Sequence, residues 1–456
     1  MLQTLKNAWN TKEIRSKILF TLFILLVYRI GTVIPVPFVE ANAFSNELSG
    51  TILDYMNTLS GGALATATLF ALGVSPYINA SIIIQLLAVV FPRLGELAKN
   101  DKSKMNFITR IVTVILALVT AIGYYFLLKN SGALTKAATP GENSMAWLYA
   151  IVIIACYCAG ASVIMWLAER INEKGIGNGI SLILFANIIS SIPSLIIELG
   201  KLIAVTFGDS KNPALYGTIA TVFAIALLAL LIGLIILVIW VTGSERRISV
   251  RYAKQIRGRK MYGGQNQNLP IKLNMTGVMP IIFASSIVSL VPTILAFCGV
   301  TEGFWVNLFA ADGVIYPVSL FILIIAFAYF YTQITFDPIE VSNRIKSQGG
   351  TIAGIRQGKP TSDFIKSVLN KVTLVGALFL GFIAVLPVLA GPHLISHLLE
   401  WFNDGINPGT VGINVSQLTS TFTFGGTTLL ILVGVVLETF RELEAQLTMR
   451  NYKGFL

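Results

Sequence analysis

The chain has 456 residues, 55% apolar and 12% charged, with a formal net charge of +11 and a mean hydropathy of +0.76. Soluble domains carry about 25% charged residues, so this composition cannot coat a water-soluble globule. A soluble enzyme, a disordered chain and a secreted disulfide scaffold are excluded together, and a polytopic α-helical membrane protein remains. A β-barrel would show alternating ten-residue segments, whereas the apolar runs here are long and unbroken.

In chain order, Lys12, Arg15 and Lys17 precede the first apolar run, and no small-residue cleavage site follows it. It reads as a span and not as a removed signal. Windows long enough for a bilayer predict ten spans, at about 18–37, 76–92, 111–128, 147–168, 178–199, 215–242, 275–298, 314–336, 372–391 and 422–440. Tyr124, Tyr125, Trp147, Tyr149, Trp166 and Trp240 sit at span ends, as an interfacial aromatic belt would; packing between helices is the ordinary alternative. Cys156, Cys158 and Cys298 lie inside apolar runs and read as small buried side chains.

Charge sets the orientation. With the N-terminus in the cytoplasm, 28 of the 33 Lys and Arg residues lie inside, Lys129, Lys136, Lys201 and Lys211 lie outside, and Arg29 falls within the first span. The reverse orientation violates the positive-inside rule, so both termini are predicted to be cytoplasmic. Ten spans divide into an N-terminal half, 1–200, and a C-terminal half, 215–456, the second inverted relative to the first. The second element of each half is irregular: Gly73 and Pro76 interrupt 60–92, and Pro280 and Pro292 fall in 275–298. The stretch 63–74 is too short to span and reads as a re-entrant half-helix.

Several chemistries lack their residues. Gly358-Lys359 is followed by Pro360, so no phosphate-binding loop forms, and Gly175, Gly177 and Gly179 do not make the dinucleotide fingerprint. Neither H-E-x-x-H nor G-x-S-x-G occurs. His393 and His397 are spaced for a shared metal without an obvious third ligand, so no metal or other cofactor is expected. Inside the spans only Arg29 is well buried in sequence, with Glu198 and Glu438 near span ends. Ion-coupled transport needs intramembrane charge. A wall of Ile, Val, Leu, Ser and Asn suits a substrate whose side chains vary.

The strings RIGTVIPVP (29–37), GGALATATLFALGVSPYINASIIIQLL (61–87), EKGIGNGIS (173–181), LPIKLNMTGVMPIIFASSI (269–287), GGTIAGIRQGKPT (349–361) and FGGTTLLILVGV (424–435) closely resemble the bacterial SecY family. The resemblance implies an all-α fold of ten spans in two inverted five-helix halves around an hourglass pore. The halves would hinge at the loop between spans five and six. It implies a protein-conducting channel of the general secretory pathway in the bacterial plasma membrane, passive and driven by partners. A short plug helix would lie at about 61–73, including Gly61, Gly62, Ala63, Leu64, Leu69 and Phe70. The matching pore-ring residues are Val74, Ile78, Ile180, Leu184, Ile282 and Ile431, an apolar constriction that gates by dewetting.

Spans two and seven match the family's lateral gate, with Ser81 and Gln85 on one and Ser285 and Ser289 on the other. Polar pairs there would loosen the seam, although membrane serines often bond their own backbone. The cytoplasmic loops 243–272 and 337–371 are strongly basic. In the first, Ile248, Val250 and Tyr252 alternate with Arg247, Ser249 and Arg251, which predicts a strand with one basic face. Arg246, Lys254, Arg257, Arg259 and Lys260 add charge there, and in the second loop Arg356 stands between Gly354 and Gly358, followed by Lys359. The resemblance makes both loops a docking platform for a SecA motor and the ribosome. It also implies SecE-like and SecG-like small subunits, a YidC-like insertase, signal-sequence-bearing polypeptides and membrane lipid as partners. A secondary transporter for a small solute, built from an inverted five-plus-five repeat, is the alternative; it leaves the basic loops unexplained.

Overall fold

Backbone in lipid must satisfy its own N–H and C=O groups, so long apolar runs become helices. The computed structural model describes residues 2–40, 52–135, 145–208, 213–252, 255–257, 260–262, 266–297, 313, 315–391, 397–398, 400–401 and 425–453. In the first part lie α1 (Leu2–Asn10), α2 (Lys12–Gly31), α3 (Ile52–Ser60), α4 (Ser75–Val90), α5 (Pro92–Asn100), α6 (Lys102–Asn130), α7 (Ala146–Lys174), α8 (Gly179–Gly208) and α9 (Pro213–Gly243). Strands β1 (Glu245–Tyr252), β2 (Gln255–Arg257), β3 (Lys260–Tyr262) and β4 (Asn266–Lys272) follow. Then come α10 (Met279–Phe297), α11 (Ile315–Thr335), α12 (Pro338–Ser347), β5 (Gly350–Ile352), α13 (Lys359–Ala390) and α14 (Gly425–Lys453).

Among the described residues six helices are long and apolar enough to cross a membrane, and α4 with α5, bent by 118°, makes a seventh if the pair counts as one span. The remaining expected spans fall on α2, α10 and α14. The first opens with Lys12, Glu13, Arg15 and Lys17, the second has 19 residues, and the third turns charged from Glu438 onward. The hydrophobic pattern is that of a lipid-facing bundle. On α9, Val222, Ile225, Ile232 and Ile236 are exposed, and only 17% of its most apolar window is buried. Trp147, Trp166 and Trp240 are also exposed, as a belt requires. Tyr124 and Tyr125 are buried instead, so for them packing between helices replaces the belt.

Two irregularities differ from expectation. The half-helix expected over 63–74 is a run of turns, and the helix lies earlier, at α3. Gly61 and Gly62 take φ of +70° and +89°, which ends α3. Backbone at 67–69 then pairs with the segment after α2: Leu69 N–H donates to Ile34 C=O at 2.9 Å, and Val36 N–H donates to Ala67 C=O at 3.4 Å. Those bonds occupy groups that a helix would need. The break expected at Pro292 is also absent, because α10 runs through it, and Pro280 falls in its first turn where its missing N–H costs nothing. Pro76 likewise starts α4 and does not break it. At the start of α6, Asp101 accepts from Lys104 N–H at 3.3 Å; the hydrogen bond from the Lys104 side chain holds its carboxyl below the usual range.

The two basic loops fold together. Strand β1 is central in the order β4-β1-β5 and antiparallel to both neighbours, with Arg247 opposite Pro270 and Val250 opposite Ile352. Pro270 is tolerated because β4 is an edge strand. Ile248 and Val250 face inward onto Ile271, Ile345, Ile352, Ile365 and Leu369, a small core outside the bundle. The main core joins α2, α4, α7, α8, α10, α11, α13 and α14.

Candidate functional site

The residues matched to the pore ring come from four helices and meet in one buried apolar cluster. Val74 precedes α4, Ile78 lies on its first turn, Leu184 is on α8, Ile282 on α10 and Ile431 on α14, each 1–2% exposed. Ile180 is partly buried and packs against that cluster. Six branched side chains from four helices thus gather in one core that carries no charge. Where side chains of this kind line a constriction, they exclude water and with it ions.

The segment 61–74 joins this cluster through Phe70 and Val74, with Leu69 against it, while Leu64, Ala67, Ala71 and Leu72 pack into a second core with α6 and α7. Ala63, Leu64 and Phe70 are buried, Gly61, Gly62 and Leu69 partly so. Its backbone is held by side chains from the surrounding helices. Tyr124 donates to Leu64 C=O at 2.6 Å, Tyr157 donates to Ala67 C=O at 3.4 Å, and the two rings meet edge to face. Ser60 Oγ and Asn57 Oδ1 accept from the N–H groups of Leu64 and Ala65. Gly160 on α7 lies directly under Leu69 C=O, where any side chain would collide with backbone.

Helices α4 and α10 touch along a seam beside this segment. A cavity of about 60 Å³ sits there, lined on one side by Ser75, Pro76 and Asn79 and on the other by Ser286, Ser289 and Thr293. It has room for a few waters and none for a polypeptide. The four gate residues named from sequence behave differently from one another. Gln85 donates to Ser81 Oγ at 3.0 Å and accepts from Tyr331 of α11. Ser285 and Ser289 bond the C=O groups of Ile282 and Ser286, their own helix. Of the four, only Ser289 lines the cavity. No polar pair spans from α4 to α10 through these four side chains; spacing alone could not show which way each serine turns.

On the β4-β1-β5 sheet, Arg246, Arg247 and Arg251 are exposed while Ile248 and Val250 point inward. Arg247 Nε donates to Glu245 at 2.7 Å. Lys254 and Arg259 lie outside the described residues; Arg257 and Lys260 end the strands of the β2–β3 hairpin. Arg356 is exposed on the turn between β5 and α13, where Gly354 and Gly358 take φ of +82° and +93°, and Lys359 is exposed as the first residue of α13. The described parts of the two basic loops are joined where β1 pairs with β5.

A family model described as SecY matches residues 68–440, well over half of the chain. The chain belongs to the SecY family. It is 39% identical over 470 residues to the protein translocase subunit SecY of Streptomyces galbus, covering all of both chains. The corresponding subunit of Mycobacterium tuberculosis strain H37Rv is 38% identical over 476 residues, again over both full lengths. Among solved structures, a protein-conducting channel aligns with TM-score 0.63 at 19% identity, over 94% of this chain and 92% of that one. Sec61 in a canine ribosome-channel complex aligns with TM-score 0.59 at 17% identity, over the same shares. At those identities the structures establish a shared fold.

For a SecY-family chain the sequence missed several residues that the structure brings to the site: Asn57, Tyr124, Tyr157, Asn187 and Tyr331. Asn187 carried a usable signal, a lone carboxamide within the apolar run LILFANII. A search of the spans for charge alone passes over it.

Proposed function

We propose that this chain is the central subunit of a protein-conducting channel, moving unfolded polypeptides across the bacterial plasma membrane and releasing membrane helices sideways between α4 and α10. The observation that supports this most strongly is the uncharged apolar cluster at the meeting of α4, α8, α10 and α14, capped by the segment 61–74. The cluster is the waist, the segment is the plug, and the α4–α10 contact is the lateral gate. Nothing in that waist distinguishes one side chain from another, which suits a passing polypeptide and not a single solute.

The chain itself carries no reaction; a motor ATPase of the SecA type or the ribosome supplies the drive. Both termini and the β4-β1-β5 sheet lie in the cytoplasm, by the distribution of Lys and Arg. The sheet and the Arg356 turn receive the motor or the ribosome. Small SecE-like and SecG-like subunits, a YidC-like insertase and lipid complete the surroundings. The two inverted halves, 1–200 and 215–456, part around the waist when the gate opens.

The test uses the seam. Cysteines at Asn79 and Ser289, which line one cavity, should be joined by a short bifunctional thiol reagent in the resting channel. Joining them should stop translocation and membrane insertion together, and reversal of the crosslink should restore both. Undiminished translocation by fully crosslinked protein would place the gate elsewhere.

A further inference from the structure

Ile180, Leu184 and Asn187 stand at i, i+4 and i+7 on α8 and so share one face. The first two belong to the waist; the third is fully buried. Asn187 Nδ2 donates to Tyr28 Oη on α2 at 2.8 Å and to Leu59 C=O on α3 at 2.6 Å. One amide group thus joins three elements. Tyr28 stacks on Phe70 with ring centroids 5.5 Å apart, and the Phe70 ring lies against Gly31. Asn187 Oδ1 and Arg29 Nη1 are buried without hydrogen-bond partners, and both come within 2.8 Å of where a Cβ on Gly61 would stand. Gly61 has φ +70° as well, so the junction between α3 and the following turns admits no side chain.

We propose that Asn187 is a positioning residue that latches the segment 61–74 shut and couples its release to widening of the waist. This rests on reading that segment as the plug. A carboxamide inside an apolar span is costly unless both donors are used, and here they hold α3 to α8 through Leu59 and α2 to α8 through Tyr28. Any outward movement of α8 that carries Ile180 and Leu184 away from the waist also carries Asn187. The Leu59 bond then breaks, and the end of α3 loses its anchor. Tyr124 and Tyr157 hold the plug from α6 and α7, on other elements, so they do not report on α8. The plug therefore leaves when the waist opens and not before.

The test measures plug exposure in the assembled channel in proteoliposomes. A Thr66→Cys variant is labelled by a membrane-impermeant maleimide, and the labelling rate reports how often the segment lifts. Losing the hydrogen bonds in Asn187→Leu should raise that rate about tenfold. Tyr28→Phe, which keeps the stack on Phe70, should raise it a few-fold, and the double variant should be no faster than Asn187→Leu alone. A control cysteine at Ser131 should label at an unchanged rate in every variant, which a general loosening of the fold would not allow. Deleting 63–72 separately tests the plug by ion leak. Leak on deletion, with parental labelling in both Asn187→Leu and Tyr28→Phe, would overturn the latch and leave the plug. No leak on deletion would overturn the plug reading and the latch with it.

Discussion

Ile282→Ser should make the resting channel leak ions at least tenfold faster than the parent. Ile282 is 2% exposed and belongs with Val74, Ile78, Leu184 and Ile431 to the main core. Full burial of an isoleucine contributes roughly 1.5–3 kcal/mol. Replacing it by a smaller side chain with a hydroxyl removes that term and gives water a hydrogen-bonding foothold. Each 1.4 kcal/mol is about a factor of ten in the population of a wetted state. Ile78→Ser should match it, and Ile180→Ser should leak less, because Ile180 is only partly buried at the edge of the cluster. Single-channel recording in planar bilayers reads this directly. Parental conductance in all three variants would remove the ring from these residues.

Arg356→Glu should abolish motor-driven translocation while leaving the chain folded and inserted. Arg356 is exposed at a turn whose shape is set by Gly354 and Gly358, and Thr361 Oγ1 donates to its backbone C=O at 2.8 Å. The backbone holds the turn and the guanidinium is free to be reversed. Beneath it, Ile345, Ile352 and Ile365 keep the platform packed without any contribution from that charge. Truncating one member of a desolvated charge pair at an interface costs about 2–5 kcal/mol, and reversing it adds repulsion, so affinity for the motor should fall on the order of a hundredfold or more. Translocation assays with inverted vesicles, alongside binding of the motor, measure both parts. Normal export by the Arg356→Glu protein would leave the second loop with a topological role alone.

Most of this architecture was legible because lipid simplifies it. Apolar windows mark helices directly. The alternation from Arg247 to Tyr252 likewise announced β1, since one face had a small core to bury. What the sequence hid are contacts between distant segments. Strand β5 has three residues, too few for a period, and it pairs with β1 across about a hundred positions, Arg251 opposite Thr351. The half-helix expected over 63–74 gave way to turns because the small residues of 61–74 look permissive locally, while residues 34–36 claim their backbone groups. Ser285 and Ser289 share one helix face by spacing; rotamer choice turned them onto the C=O groups of Ile282 and Ser286 in their own helix. Asn187 was overlooked because intramembrane function was sought in charge, and an amide buried between three elements performs its work without any.

The central claim is that polypeptide passes through the apolar waist. A photoreactive amino acid placed at Ile282, with a secretory polypeptide arrested midway in the channel, tests it most directly. The same probe at Ile236, which is 62% exposed on the outer face of α9, serves as the comparison. The account predicts strong crosslinking of the arrested chain to position 282 and none to position 236. An arrested chain that crosses the membrane yet never crosslinks at position 282 would contradict it.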